Sequence, residues 1–487
     1  MKDSEGTRYP DSEIYRAYRV CKRLVWLGWH VADGVLEDPW QDTSLKHLAK
    51  QLFANVVDVA QEASCFEESV DLSKRLLRTG KVVFNATFTS SIGVATADII
   101  VPLNEDFKEL IVVCPTHGVH PLFIEKIAYT AAVLLKNGIE LRRISLLKAN
   151  LDYKNTGVFD PARYFVRQVI TGRVAPRVQE VEDNISEIFK IIRSPHPPEQ
   201  VYDKHCYNPL VCQFFENCWR ILPEYNILML YRGGKKISKL MESGIFDIRQ
   251  INSGVELSEK QQIQVIASKT GEPFVNKRAI KQFIKKLKYP LHFLDFETIA
   301  TALPVFKNTK PFEMIPYEFS LNILDSPSAS VRTINYIADT NEDPRPEILK
   351  ILSSAIKPEG SVVAYNAGFE TACLRECARV YPEYSEWFEG IRTRMVDLLK
   401  PFRSLDYYHP DQKGSASLKV VLPCLTGTGY DELAIKNGEQ AAEWFLKMLQ
   451  CNSAEEKAVI RRHLEDYCYT DSIGMLRIIE ALKKLVE

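Results

Sequence analysis

The strongest chemical signal in the sequence is a pair of acidic residues at the end of an apolar segment. The stretch Leu294-Asp295-Phe296-Glu297 alternates apolar and acidic side chains. In a β-strand, residues two apart project to the same face, so Asp295 and Glu297 would lie side by side. An unpaired buried carboxylate costs free energy, and Mg²⁺ or Mn²⁺ binds oxygen ligands of this kind. The pair therefore predicts a metal site, against the alternative of a strand that runs into an ordinary polar loop.

Two later segments supply further side chains of the same kind. Asn366 and Glu370 follow a predicted strand and open a helix, which places them near the carboxyl edge of a sheet. Tyr467 and Asp471 are four residues apart in a predicted terminal helix, so they share one face. Together with the first pair, these segments offer four carboxylates and a tyrosine, which favours a metal site over an isolated acidic motif.

The order of these motifs carries a resemblance. Asp-x-Glu, Asn-x-x-Phe-Glu and Tyr-x-x-x-Asp resemble the three motifs of the DEDD (DnaQ-like) exonucleases, in the form of their tyrosine subgroup. Residues 290–487 are more similar still to a smaller bacterial family of unknown function within that superfamily. The further residues that carry this likeness are Pro316, Tyr317, Ser320, Asp343, Pro344, Arg345, Arg394, Asp397, Leu398, Gly414, Ser415, Ser417 and Lys419. The resemblance implies an RNase H-like fold for this part of the chain.

The same resemblance implies a mechanism, the hydrolysis of a phosphodiester bond with two Mg²⁺ or Mn²⁺ ions. One ion would activate the attacking water and the other would stabilise the leaving 3′-oxygen. Asp295 would bridge the ions, and Glu297 and Asp471 would complete one site. Glu370 would support the second ion, and Tyr467 would orient the water. The implied activity is that of a nuclease, a 3′→5′ exonuclease acting on DNA or RNA.

Other positions near these motifs leave alternatives open. Most DEDD enzymes have aspartate where this chain has Glu370, whose carboxylate extends one methylene further. Asn366 would order the second motif or contact nucleic acid. Asp397 would support the metal ligands from outside or cap a helix. Lys419 would hold a phosphate or lie on the surface as an ordinary lysine.

Four cysteines form a second constellation. Cys206, Cys212 and Cys218 are spaced Cys-x5-Cys-x5-Cys, and Cys21 is the candidate for a distant fourth ligand. Zinc sites usually use closer pairs, whereas a distant fourth cysteine suits a cubane cluster. Over residues 9–222 this pattern resembles the iron–sulfur RecB-like nucleases, which include CRISPR adaptation exonucleases and AddB. The resemblance implies a [4Fe-4S] cluster that joins both ends of a PD-(D/E)XK domain; zinc and metal-free core cysteines are the alternatives.

The nuclease motif of that domain is incomplete in this chain. Asp98 matches the metal-binding aspartate of the family, but the Glu-x-Lys expected on the next strand falls on Val-Val-Cys at 112–114. Residues 1–225 are therefore predicted to be inactive and to serve a structural or nucleic-acid-holding role. The alternative is that another side chain replaces the missing ligand, the candidates being Glu109, His117 and Glu125.

Charge is unevenly distributed along the 487 residues. Lys and Arg number 62 and Asp and Glu number 63, a formal charge of −1 that excludes a uniformly basic nucleic-acid coat. Residues 226–290 nevertheless hold 13 Lys and Arg against 5 Asp and Glu. Glycine-bearing turns in this segment resemble a helix-hairpin-helix element, with Lys235 and Lys236 as candidate nucleic-acid contacts. A solvated helical linker is the alternative.

The expected fold class is α/β in three parts. Residues 1–225 would form a RecB-like restriction-endonuclease fold, 226–290 a basic helical connector, and 291–487 an RNase H-like mixed sheet flanked by helices. The predicted strands are 81–89, 92–103, 109–114, 140–149, 291–296, 315–324, 331–337 and 361–365. The predicted helices are 12–29, 44–62, 123–137, 346–355, 369–380 and 456–486.

The sequence also bears on location and partners. The amino-terminal residues are polar, without the apolar core of a secretory signal, and no stretch approaches a membrane span. A cytoplasmic protein that binds DNA or RNA and no membrane is expected, and any protein partners stay open. The alternative to a nuclease is a nucleic-acid-binding or assembly module without turnover. A third possibility places nuclease activity in residues 1–225.

Overall fold

The computed structural model describes residues 6, 8–33, 35–202, 204–206 and 211–487. The chain divides into two compact units, and both contain helices and mixed sheets, which confirms the α/β class. The first unit comprises Met1–Ile221, Ala302–Pro304 and Lys310–Phe312. The second unit comprises Leu222–Thr301, Val305–Thr309 and Glu313–Glu487. Among the described residues, every helix is too short or too polar to cross a lipid bilayer.

A six-stranded sheet in the order β1-β2-β3-β4-β5-β6 forms the centre of the first unit. The β1–β2 and β4–β5 pairs are parallel, and the other neighbours are antiparallel. Apolar side chains cover both faces, which explains the nearly continuous apolar runs of the strands. The strands are β1 (Val56–Asp58), β2 (Val82–Ser90), β3 (Gly93–Pro102), β4 (Phe107–Cys114), β5 (Glu140–Ala149) and β6 (Phe165–Val169).

The helices of the first unit pack around this sheet, and the long α6 joins the parallel strands β4 and β5. They are α1 (Ser12–Val20), α2 (Lys22–His30), α3 (Thr43–Ala49), α4 (Val59–Glu62), α5 (Phe66–Leu76), α6 (Pro121–Lys136), α7 (Pro161–Tyr164), α8 (Thr171–Arg193) and α9 (Phe215–Trp219).

Two predicted helices of this unit are wrong in part. The single helix expected over 12–29 is interrupted at Cys21, whose backbone is extended with φ −156° and ψ 123°. The helix expected over 44–62 is instead α3, then β1, then α4. The two adjacent valines of β1 favour a strand because β-branched side chains fit a pleated surface, and β1 gains a ladder of hydrogen bonds from β2.

The second unit contains a five-stranded mixed sheet in the order β10-β9-β8-β11-β12 and a two-stranded ribbon of β13 and β7. Strand β8 lies in the middle, antiparallel to β9 and parallel to β11. The strands are β7 (Phe274–Val275), β8 (Leu291–Ile299), β9 (Ile315–Leu324), β10 (Arg332–Ile337), β11 (Ser361–Ala364), β12 (Met395–Asp397) and β13 (Tyr407–Tyr408).

Helices cover both faces of this sheet, and the 33-residue α19 packs along β8 and β9. Its start is fixed by Ser453, whose side chain accepts a hydrogen bond from the Glu456 N–H. The basic segment 226–290 is helical and falls within this unit. The helices are α10 (Lys235–Glu242), α11 (Glu259–Thr270), α12 (Lys277–Ile284), α13 (Arg345–Ala355), α14 (Gly368–Val380), α15 (Ser385–Arg392), α16 (Lys400–Arg403), α17 (Leu418–Thr426), α18 (Gly438–Gln450) and α19 (Ala454–Val486).

Candidate metal centre

Strand β8 presents its two acidic residues on one face. Leu294 and Phe296 are buried in an apolar cluster on the other face of the sheet, and the alternation leaves Asp295 and Glu297 facing α19. One ligand atom from each of Asp295, Glu297 and Asp471 lies within 4.8 Å of the others. Among the described residues, no other set of three His, Cys, Asp or Glu side chains meets this spacing. The predicted convergence of β8 and α19 is therefore present.

Glu370 is a fourth carboxylate, from a third element, that acts on Asp471 but lies outside the set of three. It lies in the first turn of α14, it is 3% exposed, and its Oε2 atom has no hydrogen-bond partner. Burial raises the pKa of Glu370 to about 8, and the neighbouring Asp397 and Asp471 add to the rise. A buried carboxylate oxygen without a donor is costly unless a cation reaches it. The lack of a hydrogen-bond partner for this buried oxygen is the observation that supports a metal ion at the site.

The carboxylates of the centre repel one another in a setting with little solvent. Burial, and then Asp471, Glu297 and Glu370, raise the pKa of Asp295 well above its ordinary value. Burial and Asp471 raise the pKa of Glu297 to about 8. Burial also raises the pKa of Asp471, to about 6. Divalent cations with oxygen ligands would offset this repulsion, so the donor set fits Mg²⁺ or Mn²⁺.

Tyr467 and Lys419 meet at the edge of the centre. Lys419 Nζ donates to the Tyr467 hydroxyl oxygen at 2.6 Å and to the carbonyl of Lys436 at 2.9 Å. The ammonium group also lies 4.8 Å from the centre of the Tyr467 ring. Lys419 is therefore a half-buried part of the site and not a free surface lysine. Because the phenol oxygen accepts from Lys419, the proton of Tyr467 is left to face the carboxylates.

Sequence reasoning missed Tyr430 and Cys468. The Tyr430 hydroxyl donates to Asp471 Oδ1, and this contact lowers the pKa of Asp471 against the effect of burial. The thiol of Cys468 donates to Asp295 Oδ2 at 3.5 Å. Tyr430 lies 41 residues before Asp471, in the turn between α17 and α18, so no local pattern marks it.

Glu318 was also missed, although the sequence held a signal for it. It pairs with Glu297 across the β8–β9 ladder, it is buried, and its Oε2 atom has no hydrogen-bond partner. Burial, with Glu297 beside it, raises the pKa of Glu318 well above its ordinary value. An acid inside an apolar strand was the argument that selected Asp295, and the same argument applies to Glu318.

Asp397 accepts hydrogen bonds from backbone N–H groups of the turn that follows β11. Its Oδ1 atom accepts hydrogen bonds from the N–H groups of Asn366 at 3.0 Å, Ala367 at 3.3 Å and Leu399 at 3.1 Å. Asn366, with φ of 71°, occupies the left-handed region that asparagine tolerates. Asp397 thus fixes the turn between β11 and α14, from which Glu370 projects. Asn366 itself is exposed and faces solvent next to this turn.

The two lysines proposed as nucleic-acid contacts differ in their surroundings. Lys235, at the start of α10, is exposed. Lys236 is half-buried, and its Nζ donates to the carbonyl of Glu256 and, at 2.9 Å, to Gln261 Oε1. Lys236 therefore holds α10 against the start of α11, and Lys235 is the one open to solvent.

Of the four candidate cysteines, Cys21, Cys212 and Cys218 pack against the core of the first unit, and Cys206 is buried. Burial raises the pKa of Cys212, and the adjacent Cys218, Cys206 and Cys21 add to the rise. The Cys212 N–H donates to the carbonyl of Cys206 at 3.0 Å. Within the described residues, however, no three cysteine sulfurs come within 4.8 Å of one another.

Asp98 occupies the predicted position on β3 but is already neutralised. Lys46 Nζ lies 2.6 Å from Asp98 Oδ1, and the Val113 N–H donates to Asp98 Oδ2 at 2.9 Å. Glu109 is buried against Arg143, Ser145 and Arg167. Glu125 pairs with Arg19 and Arg177, and His117 is exposed in the turn after β4. The acidic substitutes considered for the missing ligand are thus engaged by cations.

Comparisons with known proteins give relatives without assigned activities. A family described as a domain of unknown function, DUF2779, matches residues 292–417. The chain is 26% identical over 221 residues to the uncharacterized protein MG366 of Mycoplasma genitalium, covering 42% of this chain and 33% of the relative. It is 27% identical over 233 residues to the MG366 homolog of Mycoplasma pneumoniae, covering 42% of this chain and 34% of the relative. The chain thus spans about a third of the length of these curated relatives. No solved structure matches it.

Proposed function

We propose that this protein is a metal-dependent nuclease whose second unit hydrolyses phosphodiester bonds, as a 3′→5′ exonuclease on DNA or RNA. The convergence of Asp295, Glu297 and Asp471 within 4.8 Å carries this proposal, with Glu370 as the fourth carboxylate. The mixed sheet flanked by helices supports the likeness to the RNase H-like DEDD enzymes. Its middle strand β8 supplies the first acidic pair.

The chain's own residues would divide the work as follows. Two divalent cations held by Asp295, Glu297, Glu370 and Asp471 would supply an activated water and charge at the leaving oxygen. Tyr467 would use its remaining O–H to orient the water. Lys419, which holds the Tyr467 oxygen at 2.6 Å, would fix that orientation and place a positive charge beside the scissile phosphate. Asp397 would keep the turn that carries Glu370 in place.

The test is a panel of DNA and RNA oligonucleotides labelled at the 3′ or the 5′ end, incubated with Mg²⁺ or Mn²⁺. We expect shortening from the 3′ end by the wild type and loss of cleavage in Asp295→Asn and Glu297→Gln. The matched controls are Asp325→Asn and Glu480→Gln, which change acids outside the centre and should cleave normally. Unchanged cleavage in the Asp295 and Glu297 variants would refute the proposal. Salt-sensitive binding without cleavage under either metal would instead favour the non-catalytic binding module.

We also propose that Cys21, Cys206, Cys212 and Cys218 hold a [4Fe-4S] cluster. Each cysteine of such a cluster ligates a different iron, so the sulfurs lie farther apart than around one zinc ion. The electrostatic effect of Cys218, Cys206 and Cys21 on Cys212 supports a shared site, and the resemblance to the iron–sulfur RecB-like nucleases favours the cluster. Protein purified without air should be brown and contain iron and sulfide. Cys212→Ala should lower the iron content, whereas Cys65→Ala should not; bound zinc in place of iron would contradict the proposal.

A further inference from the structure

The basic segment of the second unit is anchored to the loop that follows α16. Strand β7 pairs with β13, and the Asn276 N–H donates to the carbonyl of Asp406 at 2.7 Å. Gln264 Nε2 donates to the carbonyl of Met229 at 3.0 Å. Gly414, with φ of 80°, approaches so closely that a Cβ there would lie 2.3 Å from the same carbonyl oxygen. Helices α10 to α12 are therefore held at a fixed place on this unit.

A chain of contacts leads from the metal centre to this anchored segment. Arg403 Nη2 donates to Asn366 Oδ1 at 3.5 Å, and Asn366 lies four residues before the proposed ligand Glu370. Lys260 Nζ donates to the carbonyl of Arg403 at 2.8 Å and to the Tyr231 hydroxyl at 3.3 Å. The Arg232 guanidinium lies 5.4 Å from the centre of the Tyr231 ring. We name Arg232, Lys260 and Arg403 the basic row.

The basic row differs from other cations of the second unit in its contacts with carboxylates. Among the residues that the structure describes, none of its three cations lies within 4 Å of an acidic oxygen, whereas Arg345 and Arg461 each have such partners. Asp406 acts electrostatically on Lys260 but accepts a hydrogen bond from Asn276. Arg232 and Arg403 are exposed. Cations that are linked through shared contacts and have no ion-pair partner repel one another, so an anion that spans them would stabilise them.

We propose that the basic row binds the sugar–phosphate backbone of the strand whose 3′ end enters the metal centre. The assignment rests on the proposed nuclease function and adds where the rest of the substrate lies. A nucleic acid strand fits because it carries one negative charge per nucleotide, and contacts link the cations of the row to one another and to Asn366 in the turn before Glu370. Tyr231 serves as the support that holds Lys260 and Arg232, since the two cations lie 4.7 Å and 5.4 Å from its ring centre.

The first test measures binding without cleavage. A labelled single-stranded oligonucleotide of about 20 nucleotides is titrated with full-length protein in EDTA at several salt concentrations. In Arg232→Gln/Lys260→Gln, two lost phosphate contacts should reduce the slope of log affinity against log salt by about 1.4. We expect the Kd to rise at least tenfold at moderate salt, which corresponds to a loss of about 1.4 kcal/mol of binding free energy. The matched control, Lys350→Gln/Arg379→Gln, removes the same charge from cations paired with Glu347 and Glu376. Equal slopes in both double variants would overturn the proposal.

A second substrate separates this proposal from the nuclease proposal. The p-nitrophenyl ester of thymidine 5′-monophosphate carries one phosphodiester and is too small to reach the basic row. Arg232→Gln/Lys260→Gln should hydrolyse this ester at the wild-type rate while its kcat/KM for the long oligonucleotide falls about tenfold. Loss of ester hydrolysis in this variant would show that Arg232 and Lys260 have a structural role. It would refute the proposal that the basic row binds the nucleic acid strand.

The remaining outcomes are also decisive. If the wild type hydrolyses neither substrate, the nuclease proposal fails, and the salt slopes still test the row as a nucleic-acid site. If polyglutamate displaces the oligonucleotide as well as unlabelled oligonucleotide does, the row is a general polyanion surface, and its assignment to nucleic acid is wrong. Thermal unfolding of both double variants at the wild-type temperature is the control for folding.

Discussion

Glu370 acts electrostatically on Asp295 and Glu297 from outside the set of three carboxylates that lie within 4.8 Å of one another. Its side chain is one methylene longer than that of an aspartate, it is buried in the first turn of α14, and its Oε2 atom has no hydrogen-bond partner. Asp471, reached from α19, raises its pKa further. At the scale of single residues, glutamate is therefore compatible with metal binding, and the backbone turn held by Asp397 sets its reach.

The shifted carboxylates predict a dependence of stability on pH in metal-free protein. The pKa values of Glu297 and Glu370 rise from 4.5 to about 8 on folding, so the folded state keeps protons that the unfolded state releases. The stability that these two protonated carboxyl groups contribute is present below the unfolded pKa of 4.5. It is lost as pH rises through the folded pKa of about 8. In EDTA, the unfolding temperature should fall between about pH 5 and pH 8.

Metal should cancel that loss, because divalent cations replace the protons. Adding Mn²⁺ at pH 8 should restore the unfolding temperature, and Glu297→Gln should flatten the pH profile while weakening the Mn²⁺ effect. Glu480→Gln, an exposed acid of the same unit, serves as control. A metal-free profile that rises toward pH 8 would show that the carboxylates are not the crowded, cation-deficient set described above.

Tyr430 should influence metal binding through the pKa of Asp471. Its hydrogen bond lowers the pKa of Asp471 against burial, so Tyr430→Phe should raise that pKa above about 6. More Asp471 would then be protonated near pH 6, and the Mn²⁺ concentration for half-maximal activity should rise about 10-fold or more. The effect should shrink at pH 8.5, where Asp471 is ionised in both proteins. Tyr384→Phe is the control, and an equal effect at both pH values would assign Tyr430 a packing role only.

The local pattern of the chain was sufficient for most elements near the centre. Strand β9 has the predicted bounds, Ile315–Leu324, and β8, β11, α14 and α19 lie within a few residues of their predictions. The alternation of apolar residues in strands and their periodicity in helices are local properties. They can therefore be recognised in the sequence without knowledge of the fold. Cys21 is different: the residues around it favour a helix, yet its extended backbone separates α1 from α2.

Asp397 allows a prediction at the scale of elements. Asp397→Ala removes the acceptor for three backbone N–H groups and should destabilise the unit by about 1–3 kcal/mol. Asp397→Asn keeps an oxygen in the same place and should cost less. Urea unfolding measures both variants. The Mn²⁺ requirement should rise more for Asp397→Ala, since the turn before Glu370 loosens; identical behaviour of Ala and Asn would show that this oxygen is not the anchor.

The formal charge of −1 for the whole chain conceals a basic segment and a cluster of carboxylates. The basic segment 226–290 and the carboxylates of the metal centre both belong to the second unit. The excess of Lys and Arg in this segment predicts a connector, whereas its contacts in the fold are with distant parts of the second unit, since β7 pairs with β13 across more than a hundred residues. No local periodicity reports such a pairing, and for the same reason Arg403 was not linked to Lys260.

If the chemistry lies in the second unit, as proposed, acids of the first unit should not be needed for it. Asp98, which the resemblance to RecB-like nucleases implies as a metal ligand, forms an ion pair with Lys46 and accepts a hydrogen bond from the Val113 N–H. A carboxylate paired in this way is not available to a catalytic metal unless the lysine leaves. Asp98→Ala in the full-length protein should therefore keep the wild-type rate of oligonucleotide cleavage, although the unpaired Lys46 should lower the unfolding temperature. The measurement compares initial rates of Asp98→Ala, Glu297→Gln and the wild type on one substrate. A tenfold or larger loss in Asp98→Ala, with folding intact, would place the chemistry in the first unit.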